Sequence, residues 1–87
     1  MHAFVSGRVQ GVFYRGSLAR QAQKQQLRGF VRNLADGRVE YLAFGSAAAL
    51  EALLHWSRKG PAAAKVLDVE VVEYAGQDDF NDFSIEY

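Results

Sequence analysis

Between residues 7 and 15 the sequence reads Gly-Arg-Val-Gln-Gly-Val-Phe-Tyr-Arg, a glycine-punctuated loop that ends on an arginine where a helix is about to begin. Glycines let successive backbone N–H groups turn to one side, and the first N–H groups of a helix have no acceptor within it. A guanidinium next to them adds a planar, charged fork. Together these residues describe a cradle for oxyanions, phosphate above all. The segment has no cysteine, no Lys-Ser/Thr pair and no aspartate, so it supplies no nucleophile of its own. The plainer reading of the same residues is a tight turn followed by a solvated arginine.

The flanking sequence supplies elements to hold such a loop in place. Residues 2 to 6 are short and mostly apolar and read as a strand that delivers the chain to Gly7. From Ser17 to Leu27 good helix formers dominate, with Leu18 and Ala22 one turn apart and Arg20, Gln21, Lys24 and Gln25 facing outward; Gly29 is expected to stop this helix. Strands are predicted at 30–34 and 39–44 around Asp36-Gly37, a two-residue hairpin signal because both positions tolerate positive φ. Ser46 is placed to cap a second helix in which Leu50, Leu53 and Leu54 keep a helical period and which Gly60-Pro61 ends. In Lys65–Tyr74, Leu67, Val69 and Val71 alternate with Asp68 and Glu70, and Phe83, Ile85 and Tyr87 repeat that pattern. The order βαββαβ, closed by a short strand, calls for an α+β, ferredoxin-like sandwich: a mainly antiparallel sheet with two helices on one face. Residues 1–87 then form one domain without a linker. This topology serves enzymes, RNA binders and metabolite sensors alike, so it does not fix a function.

Composition narrows the choice. Ten basic residues balance ten acidic ones, which gives nucleic acid or an anionic membrane no electrostatic hold. The balance is uneven along the chain, with seven Arg/Lys against two acids up to Glu40 and three against eight beyond it. A basic first half suits a small anionic substrate, and it suits equally two solvated faces that fold together. Without cysteine there is no disulfide, thiolate metal site or thiol nucleophile. His2 and His55 read as a strand-edge and a helix-surface residue, too isolated to bind a metal. Trp56, Phe44 and Phe83 are expected in the core. No stretch has the length or charge pattern of a leader or a membrane span, so the expected location is the cytoplasm.

A second segment, Gly29-Phe30-Val31-Arg32-Asn33-Leu34-Ala35-Asp36-Gly37-Arg38-Val39-Glu40, gives the first one a partner. VQGVFYR together with GFVRN, followed by DG and VE, resembles the acylphosphatase family. The likeness extends to Gly60-Pro61 behind a Trp-bearing helix and to the closing Phe83-Ser84-Ile85-Glu86-Tyr87. Phe30 stands where many members have Trp and Tyr14 where many have Phe, and Gly16 is a poor helix starter just after the arginine. The resemblance implies hydrolysis of acyl phosphates to a carboxylate and inorganic phosphate, with no metal and no cofactor. It implies that Arg15 and the backbone amides of Arg8, Val9, Gln10, Gly11, Val12 and Phe13 hold the phosphate. Asn33 would orient the attacking water, and the side chains of Val9, Val12 and Phe13 would face away. Inorganic phosphate or sulfate would then bind as a product-like ligand.

The residue inventory fits that chemistry without the resemblance. A carboxylate leaves unprotonated, because carboxylic acids ionise near pH 4, so no general acid is needed. Positioning and electrostatics are most of what phosphoryl transfer asks of a protein. Asn33 taken alone also reads as a strand-end turn residue. The carboxylate of Tyr87, if its strand ends beside the loop, is expected to pair with Arg15. Two rival functions share the topology. One is an RNA-binding module, to which Arg28-Gly29-Phe30 bears a partial likeness, but Val31 and Arg32 break the pattern. The other is a non-catalytic phosphate-binding or regulatory domain, which the retention of both Arg15 and Asn33 argues against. A monomer is the default, since acids on the strand edges discourage pairing between copies.

Overall fold

The computed structural model describes residues 1–87. Seven elements follow in chain order: β1 (His2–Arg8), α1 (Tyr14–Lys24), β2 (Arg28–Asn33), β3 (Val39–Phe44), α2 (Ala47–Ser57), β4 (Lys65–Val72) and β5 (Phe83–Glu86). The five strands form one sheet in the order β4-β1-β3-β2-β5, with β5 parallel to β2 and every other pair antiparallel. Period-two alternation puts Ala3 and Val5 of β1 on the same face as their register partners Tyr41 and Val39 of β3. These four are fully buried in one cluster with Leu18, Ala19 and Ala22 of α1 and Ala49 and Leu53 of α2. Both helices therefore cover this face, as the ferredoxin-like expectation requires.

Several local features differ from the sequence expectation. Helix α1 begins at Tyr14, three residues earlier than its helix formers suggest, and ends before Gly29 is reached. Gln26 takes the left-handed conformation (φ 58°), and Leu27 N–H donates to Ala22 O at 2.9 Å, a Schellman closure that drops Leu27 into the core. The β2–β3 connection is a three-residue loop and not a two-residue turn. Leu34 N–H donates to Arg38 O at 2.8 Å and Gly37 N–H to Leu34 O at 3.2 Å, and of Asp36 and Gly37 only the glycine has positive φ. Asp36 instead accepts from Arg38 N–H and Nε. The Ser46 cap is present, its hydroxyl oxygen accepting from Ala49 N–H at 3.2 Å.

Strand β4 keeps only part of its expected alternation. Ser6 pairs with Asp68 but Gly7 with Val66, so Leu67 is bulged out of the ladder and is 75 % exposed, and Val71 is exposed as well. Gly7 sits at φ 123°, where a Cβ would run into the Lys65 carbonyl, so the bulge depends on glycine there. Phe83 joins the core and Trp56 packs half-buried against it, but Phe44 lies on the other side of the sheet. There Tyr74 and Phe80, from the β4–β5 connection, pack against Phe44, and Phe80 also meets Phe30.

Glu40, only 6 % exposed, anchors this second face. His2 Nε2–H donates to its Oε2 at 2.7 Å and Arg32 Nε–H to its Oε1 at 2.5 Å. His2 is thus no edge residue, since β1 lies between β4 and β3. Burial disfavours charge on Glu40, but the hydrogen bonds from His2 and Arg32 outweigh it and hold the carboxyl below its ordinary value of 4.5. A depressed carboxyl stabilises the fold above its unfolded value, and that contribution is lost as pH falls through the lower, folded one. Urea midpoints of the wild type and Glu40→Gln are therefore expected to lie well apart at neutral pH and to converge below about pH 4.5. A gap that stays constant with pH would contradict this account.

Candidate active site

The loop from Val9 to Phe13 joins β1 to α1, and its backbone N–H groups donate to no acceptor in the protein. Val9 is buried in the core and Val12 is half-buried against it, which anchors the loop at two points and leaves its backbone between them. Phe13 is the N-cap of α1 in the left-handed conformation (φ 61°), an uncommon state for a bulky residue. This residue is 64 % exposed and belongs to the lining of the cleft. It lies directly over Gly16, where a Cβ would collide with the ring. Glycine at 16, a poor helix starter, is the residue that makes this arrangement possible.

A cleft of about 200 Å³ opens at this end of the sheet, lined by Val9, Gly11, Phe13, Tyr14, Arg15, Gly16, Asn33, Ile85 and Tyr87. It brings together the loop, Arg15 from the first turn of α1, Asn33 from the last residue of β2, and the end of β5. Arg8 does not line it; this residue ends β1, exposed, in register with Lys65. Gln10 and Val12 also lie outside the lining. The lining contains no carboxylate, histidine or cysteine side chain, so its polar side chains are those of Tyr14, Arg15, Asn33 and Tyr87. The Asn33 Oδ1 is buried and accepts no hydrogen bond, the only such side-chain atom in the molecule. A buried acceptor without a donor costs stability, and a fold retains one chiefly where the site has a use for it.

Arg15 is held from the side. Its Nη1 donates to the Glu86 carbonyl at 3.1 Å, and its Cζ lies 4.8 Å from the centre of the Tyr87 ring. The expected pairing with the Tyr87 carboxylate is not formed; a main-chain carbonyl and an aromatic face replace it. Tyr14 is fixed from below, its hydroxyl donating to Ser57 O at 2.7 Å, and Tyr41 shares the Ser57 hydroxyl at 2.9 Å. Burial raises both phenols above their ordinary range, more than the Ser57 bonds lower them, so they stay neutral donors. The end of the Tyr87 strand was expected beside the loop, but periodicity did not point to Tyr14, Gly16 or Ile85 as lining residues, and for these the misplaced glycine at 16 was the one visible signal.

A model of the acylphosphatase family matches residues 1–85 of the chain. The chain belongs to the acylphosphatase family. An acylphosphatase of Methylococcus capsulatus is 49 % identical to it over 85 residues, spanning 98 % of this chain and 92 % of that protein. One from an Anaeromyxobacter species is 46 % identical over 86 residues, spanning 99 % and 92 %. The crystal structure of the acylphosphatase from Bacillus subtilis superimposes with a TM-score of 0.93 at 40 % identity, covering 99 % of this chain and 96 % of that one. Membership supports hydrolysis of acyl phosphates as the activity and a small acyl phosphate as the substrate. The shared fold confirms the ferredoxin-like expectation. No helix is long and apolar enough to cross a membrane.

Proposed function

We propose that this acylphosphatase hydrolyses its substrate by direct attack of water on phosphorus, with Asn33 holding the water and Arg15 and the loop amides holding the phosphoryl oxygens. The observation that carries the reading is the unpaired, buried Oδ1 of Asn33 in the same cleft as the Arg15 guanidinium and the loop amides. Oδ1 accepts one O–H of the water and so directs a lone pair of the water oxygen at phosphorus. As the new P–O bond forms, the bond from phosphorus to the acyl oxygen breaks and its electron pair leaves with the carboxylate. The proton released by the water passes to a phosphoryl oxygen, giving inorganic phosphate. The amides of Val9 to Phe13, Gln10, Gly11 and Val12 among them, and the Arg15 fork neutralise charge on the equatorial oxygens.

A departing carboxylate needs no proton, in keeping with a lining whose side chains offer no carboxylic acid or imidazole. An alkoxide would need one. The same reading has the enzyme acting without a metal, as a single-domain monomer in the cytoplasm, and binding inorganic phosphate or sulfate as product analogues. The test is a phosphate-release assay with EDTA present, on benzoyl phosphate and on an alkyl phosphate monoester. Rapid release from the first and almost none from the second is expected. Equal rates on both, or loss of activity with EDTA, would overturn the proposal.

A further inference from the structure

The phosphate-binding loop and Asn33 belong to parts of the chain that no strand pairing connects directly. The loop follows β1 and Asn33 ends β2, and β3 lies between these two strands in the sheet. One side chain bridges the gap. The Gln10 carboxamide turns away from the cleft, and its Nε2 donates to Leu34 O at 2.8 Å and to Arg38 O at 2.9 Å. Those are the two carbonyls at the base of the β2–β3 loop, and Leu34 directly follows Asn33. Both N–H groups of the amide are thereby spent on the hairpin that carries Asn33, while the backbone of the same residue lies in the middle of the loop.

The fold itself does not depend on these two bonds. Without Gln10, Arg38 O still accepts from Leu34 N–H, and Leu34 O from Gly37 N–H. No carbonyl is orphaned, and the β2–β3 ladder from Arg28 to Asn33 is untouched. What the carboxamide adds is a fixed separation between the phosphate-holding backbone and the residue beside it in space that holds the water. In-line attack is sensitive to that separation, since a misplacement of about 1 Å can cost a hundredfold in rate.

We infer that Gln10 is a positioning residue that sets Asn33 against the phosphate loop, acting on the attacking water through the hairpin and not through the phosphate. The inference rests on the proposed roles of Asn33 and the loop. It is tested by steady-state kinetics on benzoyl phosphate, with inorganic phosphate as inhibitor, for the wild type, Gln10→Met, Asn33→Ala and the double variant. Methionine keeps the length of the side chain and removes both donors. Gln10→Met is expected to lower kcat by about tenfold while the inhibition constant for phosphate moves less than about twofold. In the Asn33→Ala background the same change is expected to cost almost nothing, because the residue it positions is gone.

Equal losses from Gln10→Met in both backgrounds would overturn the inference, as would an unchanged kcat. A matching loss of phosphate affinity would do so too, since it would mean that the side chain only shapes the loop. Gln10→Ala serves as a second variant, with the same pattern expected, and circular dichroism establishes that each variant is folded. The two levels of the argument separate cleanly. A slow Asn33→Ala beside a fast Gln10→Met removes the inference alone, and an Asn33→Ala at full rate removes the role of Asn33 and this inference with it.

Discussion

Asn33→Ala is expected to slow turnover by about two orders of magnitude, and to leave the folded state as stable as before or more stable. The two halves of this result have one cause. The Oδ1 of Asn33 is buried with no donor to satisfy it, and such an acceptor costs a fold about 1–3 kcal/mol. Alanine removes the unsatisfied atom and with it the cost. It also removes the group that would hold the water, and the loss of one well-placed polar contact to the reacting atoms typically raises the barrier by about 3 kcal/mol. The inhibition constant for inorganic phosphate should hardly change, because Arg15 and the loop amides remain.

The alternative account of Asn33, a residue kept for a local turn bond, makes the opposite forecast. It requires a loss of stability and little change in rate. The structure shows no hydrogen bond to its Oδ1 that such a loss could reflect. Measuring kcat beside a urea midpoint decides between the two. A variant within about twofold of wild-type turnover would end the proposed role of Asn33.

How far the sequence could be read depended on the kind of interaction involved. Helix α2 and the strands β1 and β3 were legible because each follows from side chains within a few residues of one another. The loop and Arg15 were legible for the same reason. Bulges and closures were not. The exposure of Leu67 depends on Gly7 of another strand, 60 positions away in the chain, and the end of α1 depends on a glutamine that accepts a left-handed backbone. Within the cleft, Asn33 was visible only through its place in a motif, since nothing local separates a water-holding asparagine from a turn asparagine. The Gln10 bridge and the carbonyl of Glu86 beside Arg15 span 24 or more positions. Contacts of that reach follow from sheet order, which no periodicity encodes.

Arg15→Lys tests the other half of the site and should fail differently. The guanidinium is oriented by two contacts besides its own helix, the Glu86 carbonyl and the face of Tyr87. With one edge and one face so occupied, the remaining N–H groups are directed as a flat pair, the geometry that matches two oxygens of a phosphoryl group. An ammonium keeps the charge but has no plane, so it cannot lie on the Tyr87 ring and present two parallel donors at once. Hydrogen bonds to charged groups contribute about 1.5–3 kcal/mol each, so kcat/KM is expected to fall roughly 10- to 100-fold. Because the proposed fork would grip ground-state phosphate as well as the transition state, the inhibition constant for inorganic phosphate should rise together with that loss, unlike the result for Asn33→Ala. Arg15→Met, which also removes the charge, separates the two contributions. If lysine loses nearly as much as methionine, shape matters more than charge at this position; if lysine restores full rate, the two-pronged grip assigned to Arg15 is wrong.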